Sequence, residues 1–263
     1  MVTPIVNNYP LKFDILVRKN ELSAKIASEL KNILTTCEIV LLFDDSTSMQ
    51  EIIKDTTSNK TTTKWSELKK LAEVFVDIIT SVNPDGADIT FFNRPTFRNV
   101  TNIEQIETIF NNLPIGDTPL ISALRRIYID KAFIPTNKKL LIVAITTDTL
   151  SDGTIKDLHS VLYNKRPNVY ISFVKCSYDK EMSNYLDNIK NKIPNFDNSY
   201  NFLTEIETLK KVVSYHFKYD YTNFAIKILL SGFTKDYNNN IALMSPASYA
   251  YYNDPCDNCC KIL

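Results

Sequence analysis

Four stretches of the chain have an apolar-rich pattern that predicts buried strands. Three of them, 38–43, 88–92 and 140–146, are apolar runs rich in β-branched and aromatic residues, and the fourth, 169–175, alternates less cleanly but has the same composition. A strand with one solvated face alternates apolar and polar residues, whereas a strand covered on both faces is apolar throughout. The pattern therefore predicts strands at the centre of a sheet that is covered on both sides.

The segments between these strands carry apolar residues at spacings of three and four, which predicts helices that pack one face on the sheet. The predicted helices are 21–34, 65–79, 103–110, 120–133, 155–163, 180–190, 206–217 and a segment around 224–229. Strands that alternate with helices predict an α/β fold with a doubly wound, mostly parallel sheet flanked by helices. In such a sheet, ligands bind at the carboxyl ends of the strands, beside the point where the strand order reverses.

No Pro/Ser-rich linker, internal repeat or low-complexity run divides the 263 residues. We therefore expect one domain with extensions. The predicted organisation is an N-terminal extension with an amphipathic helix at 1–35, the α/β domain at 36–218, and a C-terminal helix with a cysteine-containing tail at 219–263.

Charge and glycine content exclude several classes of protein. The chain has 30 basic and 30 acidic residues without a basic block, so we expect no nucleic-acid partner. Its four glycines are too scattered for a dinucleotide-binding or P-loop phosphate cradle. The N-terminus lacks the pattern of a secretory signal, and no apolar run is long enough to span a bilayer. A cytoplasmic protein is expected.

A candidate site follows the first predicted strand, where Asp44, Ser46 and Ser48 form a D-x-S-x-S turn. Carboxylate and hydroxyl oxygens are ligands for hard divalent cations such as Mg²⁺. One turn supplies only part of a coordination shell, so further oxygens must come from other loops. The two candidates are 116–120, at the start of a predicted helix, and 146–148, at the end of the predicted strand 140–146.

With these loops in order, the sequence resembles the von Willebrand factor A domain family and its metal-ion-dependent adhesion site. In that family, two serines and a threonine contact the metal directly, and two aspartates act largely through water or hydrogen bonds. Carried over by position, the direct ligands are Ser46, Ser48 and Thr118, and the aspartates are Asp44 and Asp148. The resemblance implies Mg²⁺ (or Mn²⁺/Ca²⁺) with an open position that takes an Asp or Glu carboxylate of a protein partner. It implies a binding module rather than an enzyme.

The resemblance covers about 37–175 by motif, and extends to about 217 by the order of strands and helices. It looks closest to an intracellular branch found in fungal proteins. The residues that carry this likeness are Asp45, Met49, Trp65 and the run D-G-A-D-I-T-F-F-N at 85–93. Three positions where family members commonly carry glycine hold Thr47, Asp117 and Thr149 instead.

Two other functions stay open at this point. One is a Mg²⁺-dependent phosphatase or hydrolase with Asp44 or Asp45 as nucleophile, although the second aspartate that haloacid-dehalogenase-like enzymes place two positions later is Ser46 here. The other is a metal-free scaffold, because Ser46, Thr118 and Asp148 are each also typical of helix caps. His159 and His216 lie in no motif, and we interpret both as packing residues.

The C-terminal residues suggest a second feature. The last four residues, Cys260-Lys261-Ile262-Leu263, fit a prenylation signal imperfectly, because lysine occupies the first aliphatic position. A single lipid binds membranes only marginally, and Cys259 or Cys256 could supply a second by palmitoylation. Association with a membrane is expected only if Cys260 is prenylated.

Overall fold

The computed structural model describes residues 9–54, 61–147, 150–176, 180–212 and 219–234. Its strands are β1 (Cys37–Phe43), β2 (Ile52–Lys54), β3 (Thr61–Thr63), β4 (Ala87–Phe91), β5 (Phe97–Val100), β6 (Lys139–Thr146), β7 (Val169–Lys175) and β8 (Phe196–Tyr200). Its α-helices are α1 (Tyr9–Lys19), α2 (Ala24–Thr36), α3 (Lys64–Thr80), α4 (Ile103–Phe110), α5 (Leu120–Asp130), α6 (Ile155–Tyr163), α7 (Lys180–Ile189), α8 (Phe202–Val212) and α9 (Tyr221–Ser231). A 3₁₀ helix, Thr47–Gln50, follows β1.

The main sheet has six strands in the order β5-β4-β1-β6-β7-β8. All neighbours in it are parallel except β5, which pairs antiparallel with β4 at one edge. The predicted doubly wound, mostly parallel sheet is confirmed. The chain runs outward from β1 to β4 and β5 and then returns to β6 on the other side of β1. The order therefore reverses between β1 and β6, which is where a site is expected.

Strand β1 shows why the apolar runs become central strands. Successive side chains of a strand point to opposite faces. Ile39, Leu41 and Phe43 enter one hydrophobic cluster, and Val40 and Leu42 enter another. The first cluster is completed by α1, α2, α3, α4, α8 and α9, and the second by α5, α6 and α7. The sheet is thus the middle of three layers.

Side-chain caps fix where several helices begin. Ser23 accepts from the Ile26 N–H at the start of α2, and Thr63 accepts from the Ser66 N–H at the start of α3. Asn102, Thr154 and Asp220 form reciprocal capping boxes at α4, α6 and α9. Such caps pair main-chain N–H groups that the first helical turn leaves unbonded.

Some predicted boundaries were wrong. The helix predicted at 21–34 begins only at Ala24, because Ser23 caps it and Glu21 has a left-handed φ of +50°. The helix predicted at 120–133 ends at Asp130, with Pro135 shortly after it. The helix predicted at 206–217 already begins at Phe202 and is described to Val212.

Two strands of the sheet have no apolar run to predict them. β5 is largely exposed at the sheet edge. In β8, Asp197, Asn198 and Ser199 are buried although they are polar. One of these buried polar groups is paired across the fold, since the Asn198 amide donates to Asp187 Oδ1 at 2.7 Å.

Helices from both predicted extensions pack on the α/β domain. α2 and α9 contact each other, and α9 also contacts α3 and β7. Leu30, Leu34 and Ile228 are fully buried there. The division at 35 and 218 stays a prediction.

None of the helices in the described ranges is long and apolar enough to cross a membrane. Cys256, Cys259, Cys260 and His216 lie outside the described residues.

Candidate metal centre

Asp44 directly follows β1 and is fully buried. Its main-chain N–H donates to Ile145 O at 2.9 Å, which extends the pairing of β1 with β6. Its Oδ1 accepts from the Ser46 N–H at 2.8 Å, which closes a tight turn. Its Oδ2 accepts from both the main-chain N–H and the hydroxyl of Thr147, at 2.9 and 2.6 Å. The carboxylate therefore joins the ends of the two central strands.

The turn brings Ser46 and Ser48 together. Their Oγ atoms lie 2.8 Å apart, and Ser48 Oγ is 3.3 Å from Thr147 Oγ1. Ser46 precedes the 3₁₀ helix but makes no side-chain capping bond. Its hydroxyl is thus directed to Ser48 rather than to the helix end. Ser46 is buried and Ser48 is half-buried, so the pair opens toward solvent on the Ser48 side.

Thr118 is buried in the loop that precedes α5. The loop is joined to the Asp44 turn through Gly116, whose carbonyl accepts from the Thr47 N–H at 3.0 Å and whose N–H donates to Thr47 Oγ1 at 3.2 Å. Within the described part of the chain, no hydrogen bond joins the Thr118 hydroxyl to either serine. The Thr118 loop is therefore joined to the Asp44 turn, but the Thr118 hydroxyl is not hydrogen-bonded to the hydroxyls of Ser46 and Ser48.

Asp152 lies in none of the predicted motifs. Its carboxylate accepts from the Ile121 and Ser122 N–H groups at 3.3 and 2.6 Å, so it caps α5 from the loop after β6. The Thr118 carbonyl accepts from the Ser151 N–H at 3.2 Å. These bonds tie the Thr118 loop to the loop after β6, and Thr118 does not itself cap the helix.

Asp148 lies outside the described residues, as does Thr149. Thr147, immediately before Asp148, is placed and buried. Residues 146–148 were predicted to supply oxygens, with Asp148 as the ligand residue. The structure adds the Thr147 hydroxyl, which contacts both Asp44 and Ser48.

Asp45, beside Asp44, points to a different set of partners. Its Oδ1 accepts from the main-chain and side-chain N–H groups of Asn93, at 2.9 and 3.0 Å, and its Oδ2 accepts from Arg94 Nε at 2.9 Å. Asp45 is buried, and both of its oxygens are engaged. This arrangement does not present a free carboxylate nucleophile.

His159 packs between α6 and α7. Its Nδ1 lies 2.9 Å from Tyr185 OH, and its ring stacks on Tyr163. The packing role predicted for His159 is confirmed.

The donor set of the turn fits a hard divalent cation. In an octahedral Mg²⁺ site with oxygens about 2.0–2.1 Å from the ion, neighbouring oxygens lie about 2.9 Å apart. Ser46 Oγ and Ser48 Oγ lie 2.8 Å apart, at hydrogen-bond distance, so one ion could contact both oxygens. The Asp44 carboxylate lies behind the pair and places negative charge next to it. In the described ranges, no group of three His, Cys, Asp or Glu side chains is arranged to hold a metal ion, so the donors at the turn are one carboxylate and several hydroxyls.

Neither a scan of protein-family models nor a search of curated proteins finds a match to this sequence. Among solved structures, the VWA domain of SpRpn10 is similar over 68% of this chain and 100% of that chain, with 13% sequence identity and a TM-score of 0.49. A von Willebrand factor type A structure from Catenulispora acidiphila is similar over 74% of this chain and 43% of that chain, with 14% identity and a TM-score of 0.46. The fold class stated above depends on the strand order and layers of this chain itself.

Proposed function

We propose that this chain is a protein-interaction module of the von Willebrand factor A type. In this proposal, a divalent cation at the Asp44 turn binds an Asp or Glu carboxylate of a partner protein. Ser46, Ser48 and Thr118 would hold the cation, with Asp44 and Asp148 behind them. The ion would be Mg²⁺, with Mn²⁺ or Ca²⁺ as substitutes.

The observation that carries this proposal is the Ser46–Ser48 hydroxyl pair at 2.8 Å, at the strand-order reversal. Two neutral hydroxyls alone are weak ligands for a cation, but the negatively charged carboxylate of Asp44 lies on their buried side. A bound cation would supply a positive charge that a partner carboxylate can meet. Asp44 is held by Ser46 and Thr147, so it orients the turn and leaves the half-buried side of Ser48 free for access.

The test begins with the metal alone. Isothermal titration with Mn²⁺ should show saturable binding to the wild-type chain and none to the double variant Ser46→Ala/Ser48→Ala. Ser122→Ala is the matched control, because Ser122 is an exposed serine in the first turn of α5. Absence of binding to the wild type would overturn the metal site and favour a metal-free scaffold.

Partner binding forms the second stage. Proteins retained by the immobilised chain in Mg²⁺ should be released by EDTA, and Asp44→Ala should retain none of them. Equal retention in Mg²⁺ and EDTA would contradict a cation-bridged interface even if the cation binds.

No contact of the described residues favours the hydrolase alternative. Asp44 and Asp45 are both buried and fully engaged by hydrogen-bond donors. Turnover of a phosphomonoester panel, lost in Asp45→Asn, is the outcome that would restore this alternative.

A further inference from the structure

Asn93 lies between the two loops that carry the proposed ligands. It follows β4, and its side-chain amide has two N–H donors. One donates to Asp45 Oδ1 at 3.0 Å, and the other donates to the Asp117 carbonyl at 2.9 Å. Asp45 belongs to the Asp44 turn, and Asp117 directly precedes Thr118. A single side chain thus connects the turn with the Thr118 loop.

Asp45 is a rigid anchor for this connection. Its second oxygen accepts from Arg94 Nε, and Arg94 also donates from its NH1 group to the Ile109 carbonyl at 3.0 Å. The Arg94 guanidinium lies over the ring of Phe91, 4.0 Å from its centre, and 5.1 Å from the ring centre of Trp65. Charge-assisted bonds and cation–π contacts hold both ends of the ion pair. Asn93 is therefore bonded to a carboxylate that has little freedom to move.

The Thr118 loop approaches Asn93 closely. A Cβ at Gly116 would lie 2.8 Å from Asn93 Cγ, and Gly116 has a φ of +121°. Only glycine provides that close approach and that backbone conformation without strain. The main chain of the loop thus packs directly on the Asn93 amide, and Thr47 bonds to Gly116 from the turn.

We propose that Asn93, fixed by Asp45, is the positioning residue that holds the Gly116–Thr118 loop against the Asp44 turn. Asn93 contacts none of the proposed ligand hydroxyls; it acts through Asp45 and the Asp117 carbonyl. The effect of Asn93 on cation affinity rests on the proposed function, because the position of Thr118 relative to Ser46 and Ser48 affects binding only if these three residues share an ion.

The first measurement needs no metal. Asn93 is exposed, so its substitution leaves both hydrophobic clusters intact. In EDTA, Asn93→Ala should raise amide hydrogen exchange of Thr47 and Gly116 about tenfold, because two hydrogen bonds that hold the loop are lost. Exchange of the β1 amides should not change. Asn93→Asp should have a larger effect, since a second carboxylate there cannot donate and repels Asp45.

Asn168→Ala is the matched control. Asn168 also ties a loop through its amide, donating to the Lys138 carbonyl at 2.8 Å, but it lies at the amino ends of β6 and β7. This variant should leave exchange at Thr47 and Gly116 unchanged. Unchanged exchange at Gly116 in both Asn93 variants would overturn the positioning role.

The second measurement separates this proposal from the proposed function. Asn93→Ala should weaken Mn²⁺ binding about tenfold, while Asn168→Ala should not. If the wild type binds no Mn²⁺ but Asn93→Ala still raises amide hydrogen exchange at Gly116, the proposed metal site is wrong and the positioning role of Asn93 is supported. If the wild type binds Mn²⁺ and Asn93→Ala changes neither exchange nor affinity, the positioning role fails and the metal site stands.

Discussion

The carboxylate of Asp44 accepts two hydrogen bonds from Thr147, one from its main-chain N–H at 2.9 Å and one from its hydroxyl at 2.6 Å. Asp44 follows β1 and Thr147 follows β6, so this pair locks the ends of the two central strands together. The same pair borders the serine hydroxyls, since Thr147 Oγ1 lies 3.3 Å from Ser48 Oγ. The contact that joins the strand ends therefore lies directly beside the hydroxyls of the proposed site.

Replacing Thr147 by valine should destabilise the fold by about 1–3 kcal/mol, because it removes a donor from a buried carboxylate and keeps the shape of the side chain. Urea unfolding monitored by Trp65 fluorescence measures the change. Thr147→Ser keeps the hydroxyl and should cost less. Equal stability of Thr147→Val and the wild type would show that the hydroxyl contributes nothing to holding Asp44.

The proposed cation should stabilise the folded chain. A ligand that binds only the folded state at a hundred times its Kd adds about 2.7 kcal/mol, which corresponds to a Tm shift of about 5–10 °C for a chain of this size. Differential scanning fluorimetry with and without Mg²⁺ measures the shift. Asp44→Ala should show none, and a shift of equal size in that variant would place the stabilising ion elsewhere.

Asp88 should make stability depend on pH in the acidic range. Burial by itself raises the pKa of Asp88, but hydrogen bonds from Lys131, the Asn99 N–H and Arg98 outweigh it and hold the pKa below its usual value. A carboxyl group whose pKa is lowered in the folded state contributes stability above its unfolded pKa of about 3.9, and this contribution is lost as pH falls through the folded pKa. The free energy of unfolding should therefore decline below about pH 4–5.

The Asp88→Asn variant checks the source of that decline. In this variant, the free energy of unfolding should decline less at acidic pH. At neutral pH it should be lower than in the wild type by about 3 kcal/mol or less, because Lys131 keeps its second partner Glu38 at 2.7 Å. Denaturant titrations from pH 3 to 7 measure both effects. If the free energy of unfolding declined equally at acidic pH in the variant and the wild type, other carboxylates would be the source of the pH dependence.

A buried ion pair joins α8 to α9. Lys227 Nζ lies 2.7 Å from Glu205 Oε2, and Tyr219 OH donates to Glu205 Oε1 at 2.5 Å. Because all three residues are buried, Lys227→Met should leave an uncompensated carboxylate and cost about 3–5 kcal/mol. The double variant Lys227→Met/Glu205→Gln should recover most of this loss. Additive losses in the double-mutant cycle would contradict a coupled pair.

The sequence pattern predicts which strands are buried, but it does not predict which residues form hydrogen bonds with one another. The strands illustrate this. β1, β4, β6 and β7 were predictable because most of their residues are apolar and nearly all are buried. β8 was not, because its buried Asp197 and Asn198 read as loop residues. The bond from the Asn198 amide to Asp187, 11 residues earlier in the chain, forms only in the folded structure.

The candidate site divides in the same way. The D-x-S-x-S spacing and its place after a strand indicated Asp44, Ser46 and Ser48 from the sequence, and the structure brings the three together. The motif that contains Asn93 was recognised, but no role could be assigned to it. Its two partners, Asp45 and Asp117, are 48 and 24 residues away along the chain.

The sequence by itself thus determined the alternation of strands and helices, the central strands, and the turn at which oxygen donors collect. These features depend on the local spacing of residues and on the hydrophobic effect, and both can be inferred from the order of apolar and polar residues along the chain. Tertiary structure alone decided that Thr147 holds Asp44 and that Asn93 joins two loops. Hydrogen bonds between distant segments depend on distances of a few tenths of an ångström, and only the packed sheet sets those distances.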